Sequence, residues 1–148
     1  MATAIKILVV DDMSIFRDPI AASLRLAGFE TLCASNGQEA LQAIRNHRPA
    51  VVLLDVSMPV MDGITCLRAM RNEPEIARTS VILFTALSDR KYVLEAGRLG
   101  VQDYLLKSSF SLKELLARVI KYTGVPPRTA GGAPAGKRVQ IAPVASQA

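Results

Sequence analysis

The chain has 148 residues, of which half are hydrophobic, so it is long enough for one domain with a substantial core. No apolar run approaches the roughly 20 residues of a membrane helix, and the N-terminus lacks a signal-peptide layout, which predicts a cytoplasmic protein without membrane contact. The net charge of +5 is unevenly divided: residues 1–123 carry 15 basic and 13 acidic side chains, and residues 124–148 carry three basic and no acidic ones. This division makes nucleic-acid binding by the whole chain an unfavoured interpretation.

The first half of the chain alternates between apolar strands and amphipathic helices. The run IKILVV at 5–10 is rich in branched residues, as buried strands are. Apolar residues then recur at helical spacing as far as Gly28, a typical helix stop. Pro19 falls inside this helix, so we expect the helix to start late or to kink. A weak strand is predicted at 29–34, and a second helix from about Asn36, a good N-cap.

The second half continues the alternation with three more strands and three more helices. Ser88 or Asp89 is the expected cap of the fourth helix, and Ser111 is the expected cap of the fifth. Five strand–helix units in strict alternation predict an α/β fold, with a doubly wound parallel sheet covered by helices on both faces. The three strands are predicted at 51–55, 80–86 and 101–106, and the helices end near Asn72, Gly100 and Tyr122.

The composition changes after Gly124. Residues 124–148 are rich in proline, glycine and alanine and show no periodicity. We therefore predict a domain at 1–123 followed by a disordered basic tail or linker at 124–148.

Several other residues receive structural interpretations. Cys33 and Cys66 lie far apart in apolar surroundings, which favours reduced core residues over a disulfide or a metal site. Asp62 and Gly63 are interpreted as a turn and a helix cap.

Polar residues follow four of the predicted strands. Asp11 and Asp12 end the first strand, Asp55 the third, Thr85 the fourth and Lys107 the fifth. Sites in doubly wound sheets form at the carboxyl ends of the strands, so we expect these side chains to meet at one edge. Any one of them alone has an ordinary explanation; Asp12 or Ser14, for example, could simply cap the first helix.

Three carboxylates in one crevice repel one another and resist ionisation. Lys107 offsets one charge, and a divalent cation would offset the rest. Hard oxygen ligands without cysteine or histidine favour Mg²⁺, and Mg²⁺ beside a carboxylate suits phosphoryl transfer. Asp55 is then a candidate nucleophile that would form an aspartyl-phosphate.

These residues, in this order, resemble the receiver domain of bacterial two-component response regulators, of the chemotaxis-regulator type. The resemblance covers residues 5–122 and rests on DD at 11–12, LLDVSMPVMDG at 53–63, FTA at 84–86 and DYLLK at 103–107. It implies a flavodoxin-like sheet with strand order 2-1-3-4-5. It also implies a phosphorylation-dependent signalling switch, not a turnover enzyme.

The resemblance assigns roles to the acidic residues. Asp55 corresponds to the phosphoacceptor, and Asp12 and Asp55 correspond to direct Mg²⁺ ligands. Asp11 would act on the metal partly through water, and Ser57 would supply its backbone carbonyl. The phosphodonor would be a phosphohistidine on a histidine kinase or phosphotransfer protein, and the downstream protein stays unidentified.

The resemblance also implies a switch. Thr85 corresponds to the switch hydroxyl, Lys107 to the family's lysine, and Tyr104 to an aromatic residue that moves inward, although Tyr104 could also be plain core. Phosphorylation would then shift an equilibrium of the face made by the fourth helix, fifth strand and fifth helix. The family usually has a cis-bonded proline after the lysine, but Ser108 stands here. Either the Lys107–Ser108 bond is cis and strained, or it is trans and Lys107 is placed differently.

Three alternative functions stay open at this point. The chain could be the receiver part of a longer regulator, cut in its linker. It could be an aspartate-nucleophile phosphatase, although those enzymes place the nucleophile after the first strand. It could also be an interaction module that is never phosphorylated.

Overall fold

A computed structural model describes residues 4–124, so the predicted tail lies outside the described residues apart from Gly124. The five strands are β1 Lys6–Val10, β2 Glu30–Ala34, β3 Val51–Leu54, β4 Ser80–Thr85 and β5 Asp103–Leu106. The five α-helices are α1 Ser14–Leu26, α2 Gly37–His47, α3 Gly63–Arg71, α4 Val93–Arg98 and α5 Leu112–Thr123. Within residues 4–124, no helix has the length and apolar composition to cross a membrane.

The strands form one parallel sheet in the order β2-β1-β3-β4-β5, which confirms the predicted fold class and strand order. Successive side chains on a strand point to opposite faces, so the apolar strands feed two cores. One core packs α2, α3 and α4 against the sheet, and the other packs α1 and α5. The central strand β3 is buried along its whole length, as expected for a parallel strand that is covered on both sides.

The helix starts are partly as predicted. The side chains of Asn36, Asp62 and Ser111 accept hydrogen bonds from the first turns of α2, α3 and α5, which confirms these three caps. In α1, the N-cap is Met13, which makes no side-chain cap bond, so capping by Asp12 or Ser14 is wrong. The expected late start is also wrong, since α1 begins at Ser14 and runs through Pro19.

The predicted fourth helix is wrong in its first half. Leu87–Tyr92 forms a 3-10 helix, and α4 starts only at Val93, after the uncapped Tyr92. Asp89 therefore does not cap α4; its carboxylate instead accepts a hydrogen bond from the Ser57 hydroxyl at 2.9 Å. A tertiary contact thus takes the side chain that local sequence assigned to a cap.

The two cysteines differ. Cys66 is buried, as predicted, and burial raises the pKa of its thiol to about 12. Cys33 is exposed, so its assignment to the core is wrong. The reason is that β2 is an edge strand, where part of the side chains face solvent.

Gly63 allows α3 to start directly against β3. Its N–H donates to the carbonyl oxygen of Val56 at 2.8 Å. A Cβ atom at this position would lie 2.0 Å from the backbone carbonyl oxygen of Asp55, far inside contact distance. The helix and the strand end can therefore approach this closely only with glycine.

We expect Gly63→Ala to lower the free energy of unfolding by about 3 kcal/mol, because backbone must move to admit the methyl group. Gly97→Ala is the matched control, since a Cβ there meets nothing within 4 Å and alanine favours the helix by up to about 1 kcal/mol. Urea unfolding of both variants checks this. Equal stability of Gly63→Ala and wild type would contradict the close approach.

Candidate functional site

The carboxylates of Asp11 and Asp55 lie side by side because their strands are neighbours. Val10 and Leu54 are partners in the β1–β3 register, and the Asp55 N–H donates to the Val10 carbonyl at 3.0 Å. Asp11 and Asp55, which directly follow these two residues, therefore lie at the same level of the sheet, at the carboxyl ends of β1 and β3. Asp11 and Asp55 are buried and Asp12 is exposed, and carboxylate oxygens of all three lie within 4.8 Å of one another.

Lys107 brings the balancing charge. Its Nζ lies 2.9 Å from Asp11 Oδ2 and 3.2 Å from Asp55 Oδ2, and only 8% of its side chain is exposed. The Lys107 N–H donates to the Thr85 carbonyl at 2.8 Å, which fixes the backbone beside β4. No peptide bond between residues 4 and 124 is cis, so the Lys107–Ser108 bond is trans. Of the two possibilities left open by the sequence, the trans loop is the one observed.

The surroundings of Asp55 raise its pKa to about 7. Burial is the main cause, since it penalises the charged form, and the negative charge of Asp11 adds to it. Lys107 and the Val56 N–H, which donates to Asp55 Oδ1 at 2.8 Å, act in the opposite direction. Positive charge brought into this site would therefore favour the ionised form of Asp55.

The acidic residues fit a magnesium ion. Asp11 Oδ1 accepts the Met13 N–H at 2.9 Å, whereas the buried Oδ2 has only the Lys107 ammonium at ion-pair distance and accepts no directed hydrogen bond. Asp12 does not cap α1, so its carboxylate is not engaged there. A set of hard carboxylate oxygens with acceptor capacity left is the donor set that Mg²⁺ prefers.

A cleft of about 420 Å³ opens over this cluster; we call it the acidic cleft. Asp55 and Lys107 lie among its walls, together with Ser57 and Asp89, which hydrogen-bond to each other. The cleft gives a small phosphorylated group access to Asp55.

The two predicted switch residues lie on the neighbouring strands β4 and β5 and differ in burial. Thr85 is fully buried at the end of β4, and its hydroxyl donates to the Ala86 carbonyl at 3.2 Å. Tyr104 is 45% exposed and lies in a groove with Val93 and Leu94, outside the acidic cleft. The plain-core alternative for Tyr104 is therefore wrong. The structure brings together Asp11, Asp12, Asp55 and Lys107, with Ser57 in the same cleft, and leaves Tyr104 elsewhere.

Three residues near the site were missed by sequence reasoning. Phe16 and Phe84 flank the Lys107 ammonium, and Asp89 reaches Ser57 across the cleft. Phe16 fits the apolar pattern of α1, and Phe84 the apolar run of β4, so nothing local separates them from ordinary core residues. Only their position beside the lysine does.

Comparison with known proteins identifies the family. Residues 7–120 match the response regulator receiver domain. The chain belongs to this family. Receiver domains are signalling modules and not turnover enzymes, so the phosphatase alternative is wrong. The acidic site of Asp11, Asp12 and Asp55 is of the type that accepts a phosphoryl group with Mg²⁺.

Relatives with similar sequences are regulators. The chain is 46% identical over 110 residues to the regulatory protein AtoC of Escherichia coli, covering 74% of this chain and 23% of AtoC. It is 42% identical over 120 residues to the transcriptional regulatory protein PrrA of Mycobacterium tuberculosis, covering 79% of this chain and 49% of PrrA. The chain thus spans between about a quarter and a half of the length of these relatives.

Solved structures of receivers are similar over most of this chain. The chemotaxis response regulator CheY4 of Vibrio cholerae is 30% identical, with a TM-score of 0.73, covering 81% of this chain and 99% of CheY4. The receiver domain of the sensor histidine kinase PA1611 from Pseudomonas aeruginosa is 27% identical, with a TM-score of 0.74, covering 83% of this chain and 100% of that domain. The PA1611 structure has a magnesium ion coordinated in its active-site cleft.

The raised pKa of Asp55 predicts a pH-dependent stability. An aspartate in an unfolded chain has a pKa of about 4, and the folded value is about 7, so the folded state binds the proton more tightly. The contribution of Asp55 to the free energy of unfolding should therefore fall as pH rises from about 4 to about 7. Without metal, we expect Asp55→Asn to be more stable than wild type by about 2 kcal/mol at pH near 8.

The same comparison at a pH near 4 should show almost no difference, because both side chains are then uncharged. Urea unfolding in the presence of a chelator measures both values. An Asp55→Asn effect of the same size at both pH values would contradict the raised pKa.

Proposed function

We propose that the protein is a phosphorylation-dependent switch that accepts a phosphoryl group on Asp55. The supporting observation is the arrangement around this side chain: Asp55 ends β3 at the acidic cleft, beside Asp11 and 3.2 Å from the Lys107 ammonium. The donor is a phosphohistidine of a histidine kinase or phosphotransfer protein, because receiver domains partner histidine kinases. The particular kinase and the downstream protein are left open.

The transfer is a displacement at phosphorus. An oxygen of Asp55 attacks the phosphorus atom, the P–N bond of the phosphohistidine breaks, and the imidazole leaves with the electron pair of that bond. Lys107 lies where it can pair with one phosphoryl oxygen, and the Thr85 hydroxyl would leave the Ala86 carbonyl to bind another. Bound Mg²⁺ supplies the remaining positive charge.

The metal ligands follow the family resemblance. Asp12 and Asp55 would bind Mg²⁺ directly, Asp11 would act partly through water, and Ser57 would contribute its backbone carbonyl. The closeness of the three carboxylates supports this assignment, as does the magnesium ion in the PA1611 receiver.

The output of the switch is a change in protein contacts. Thr85 moving toward the phosphoryl group would vacate space beside β4, and the half-exposed Tyr104 on the neighbouring strand β5 would turn into it. This movement would alter the face made by α4, β5 and α5.

The domain organisation is also a proposal, and two alternatives to it and to the phosphorylated switch are considered. We propose that residues 1–123 form the receiver and that residues 124–148 are a basic tail or a linker, in a cytoplasmic protein. AtoC and PrrA, which are much longer than this chain, favour the alternative that it is the receiver part of a longer regulator. An interaction module without phosphorylation is the other candidate, favoured by Ser108 in place of the usual proline.

Intact-mass measurement tests the acceptor. After incubation with phosphoramidate and Mg²⁺, we expect one added phosphate, reduced at least about tenfold by a chelator. Asp55→Asn should gain no phosphate, because it lacks the nucleophilic oxygen. Asp62→Asn is the matched control: this exposed aspartate caps α3, asparagine caps equally well, and phosphate should still be added. Phosphate on Asp55→Asn, or none on wild type, would refute the proposal.

The Thr85–Tyr104 switch has its own test. Adding beryllofluoride, which mimics a phosphoryl group on a carboxylate, should shift the NMR signals of the Tyr104 ring. Thr85→Ala should reduce this shift by at least about half, because the hydroxyl that moves is gone. Thr79→Ala, which removes a hydroxyl bound to the Ile76 carbonyl, should leave it unchanged. Equal shifts in all three proteins would exclude the coupling.

A further inference from the structure

Three phenylalanine rings from separate elements meet beneath the acidic cleft. The Phe16 and Phe84 ring centroids are 5.7 Å apart with the rings nearly perpendicular, and Phe110 lies 4.8 Å from Phe84 and 6.4 Å from Phe16. Phe16 comes from α1, Phe84 from β4, and Phe110 from the loop before α5. Edge-to-face contacts of this kind fix the orientation of the rings.

Two of these rings flank the Lys107 ammonium. Its Nζ lies 4.7 Å from the centroid of Phe16 and 5.5 Å from that of Phe84, within the range of a cation–π interaction. The same Nζ lies 2.9 Å from Asp11 Oδ2 and 3.2 Å from Asp55 Oδ2. The cation is therefore held between two carboxylates and two aromatic rings.

The backbone after β5 does not by itself fix the position of the Lys107 ammonium. The Lys107–Ser108 bond is trans, and the chain reverses in a Leu106–Ser109 turn, where the Ser109 N–H donates to the carbonyl of Leu106, the last residue of β5, at 3.2 Å. Serine at 108 has none of the rigidity of a proline ring. A lysine side chain has four rotatable bonds, so contacts beyond the backbone must select its position.

We propose that Phe16 is a positioning residue whose ring, together with Phe84, holds the Lys107 ammonium between Asp11 and Asp55 in place of a rigid loop. This inference rests on the proposed phosphoryl-acceptor function. Phe16 is the ring nearer to the cation, and it also lines the acidic cleft. Phe16 is therefore the ring placed to limit movement of the ammonium within the cleft.

The position of the ammonium has opposite consequences for two ligands. A cation beside Asp11 and Asp55 competes with Mg²⁺ for their oxygens, so losing it should strengthen Mg²⁺ binding. The same cation pairs with a phosphoryl group, so losing it should weaken binding of a phosphoryl mimic. General damage to the site would weaken the binding of both ligands. Opposite changes in the two affinities therefore distinguish a positioning role of Phe16 from a role in packing alone.

The test compares Phe16→Leu with Phe110→Leu, using Mg²⁺ titration and then beryllofluoride titration at saturating Mg²⁺. We expect Phe16→Leu to bind Mg²⁺ about two- to threefold more tightly and beryllofluoride about three- to tenfold more weakly, the size of one cation–π contact. Phe110→Leu removes a ring of the same cluster that the structure does not place over the ammonium. It should leave the ratio of the two affinities unchanged.

The Mg²⁺ titration is repeated in a Lys107→Met background, where the carboxylates remain. There Phe16→Leu should have no effect, because no ammonium is left to position. In the protein that retains Lys107, Phe16→Tyr keeps the ring and should bind Mg²⁺ and beryllofluoride with wild-type affinity. The inference is overturned if Phe16→Leu leaves Mg²⁺ affinity unchanged or weakens it, or has the same effect in both backgrounds. Wild type that binds neither ligand would instead refute the proposed function itself.

Discussion

The structure depends on one electrostatic constraint: three carboxylates gather at one sheet edge with a single ammonium between two of them. Asp11 and Asp55 are almost fully buried, and burial, together with the negative charge of Asp11, raises the pKa of Asp55. Lys107 compensates part of this charge at 2.9 and 3.2 Å. The remaining imbalance is what makes the site receptive to a divalent cation. Added positive charge would also favour the ionised form of Asp55, the carboxylate that we propose as the phosphoacceptor.

The fold serves this constraint by bringing strand ends together. The parallel β1–β3 register places Asp11 and Asp55 next to each other without any long-range loop. Gly63 lets α3 begin against the Asp55 carbonyl, so the start of the helix packs closely on the end of the strand. On the same side, Val60 has a positive φ of 69°, an uncommon conformation for a branched residue, in a turn closed by the Met61 N–H and the Pro59 carbonyl. This conformation is strained for a branched residue, and it lies in the loop that connects Asp55 to α3.

The loop after β5 lacks the proline that is usual in receivers, so Lys107 must be positioned without it. The family resemblance predicts a proline after Lys107, and the observed loop is a trans turn through Ser108. The lysine nevertheless reaches both carboxylates. Side-chain contacts with Phe16 and Phe84 lie where backbone rigidity is missing. Receivers that lack the proline could be examined for an aromatic ring at the same place beside the lysine.

The sequence by itself determined the fold class and the clustering of Asp11, Asp12 and Asp55 with Lys107. Solid apolar runs alternating with helical patterns predicted the parallel sheet, and the polar residues at strand ends predicted which side chains would meet. The first prediction follows from local periodicity, and the second from the rule that sites in doubly wound sheets form at the carboxyl ends of the strands. Three of the caps, at Asn36, Asp62 and Ser111, were also local and correct.

Only the tertiary structure decided what depends on contacts between distant segments. Asp89 was assigned to a helix cap, but its side chain pairs with Ser57, which lies 32 residues earlier. Cys33 was assigned to the core, but its strand is at the sheet edge. Phe16 has the pattern of an ordinary apolar helix residue, and only packing places Lys107, 91 positions later in the chain, beside its ring. Periodicity shows which side of an element is apolar, whereas the identity of the neighbour on that side is set by packing.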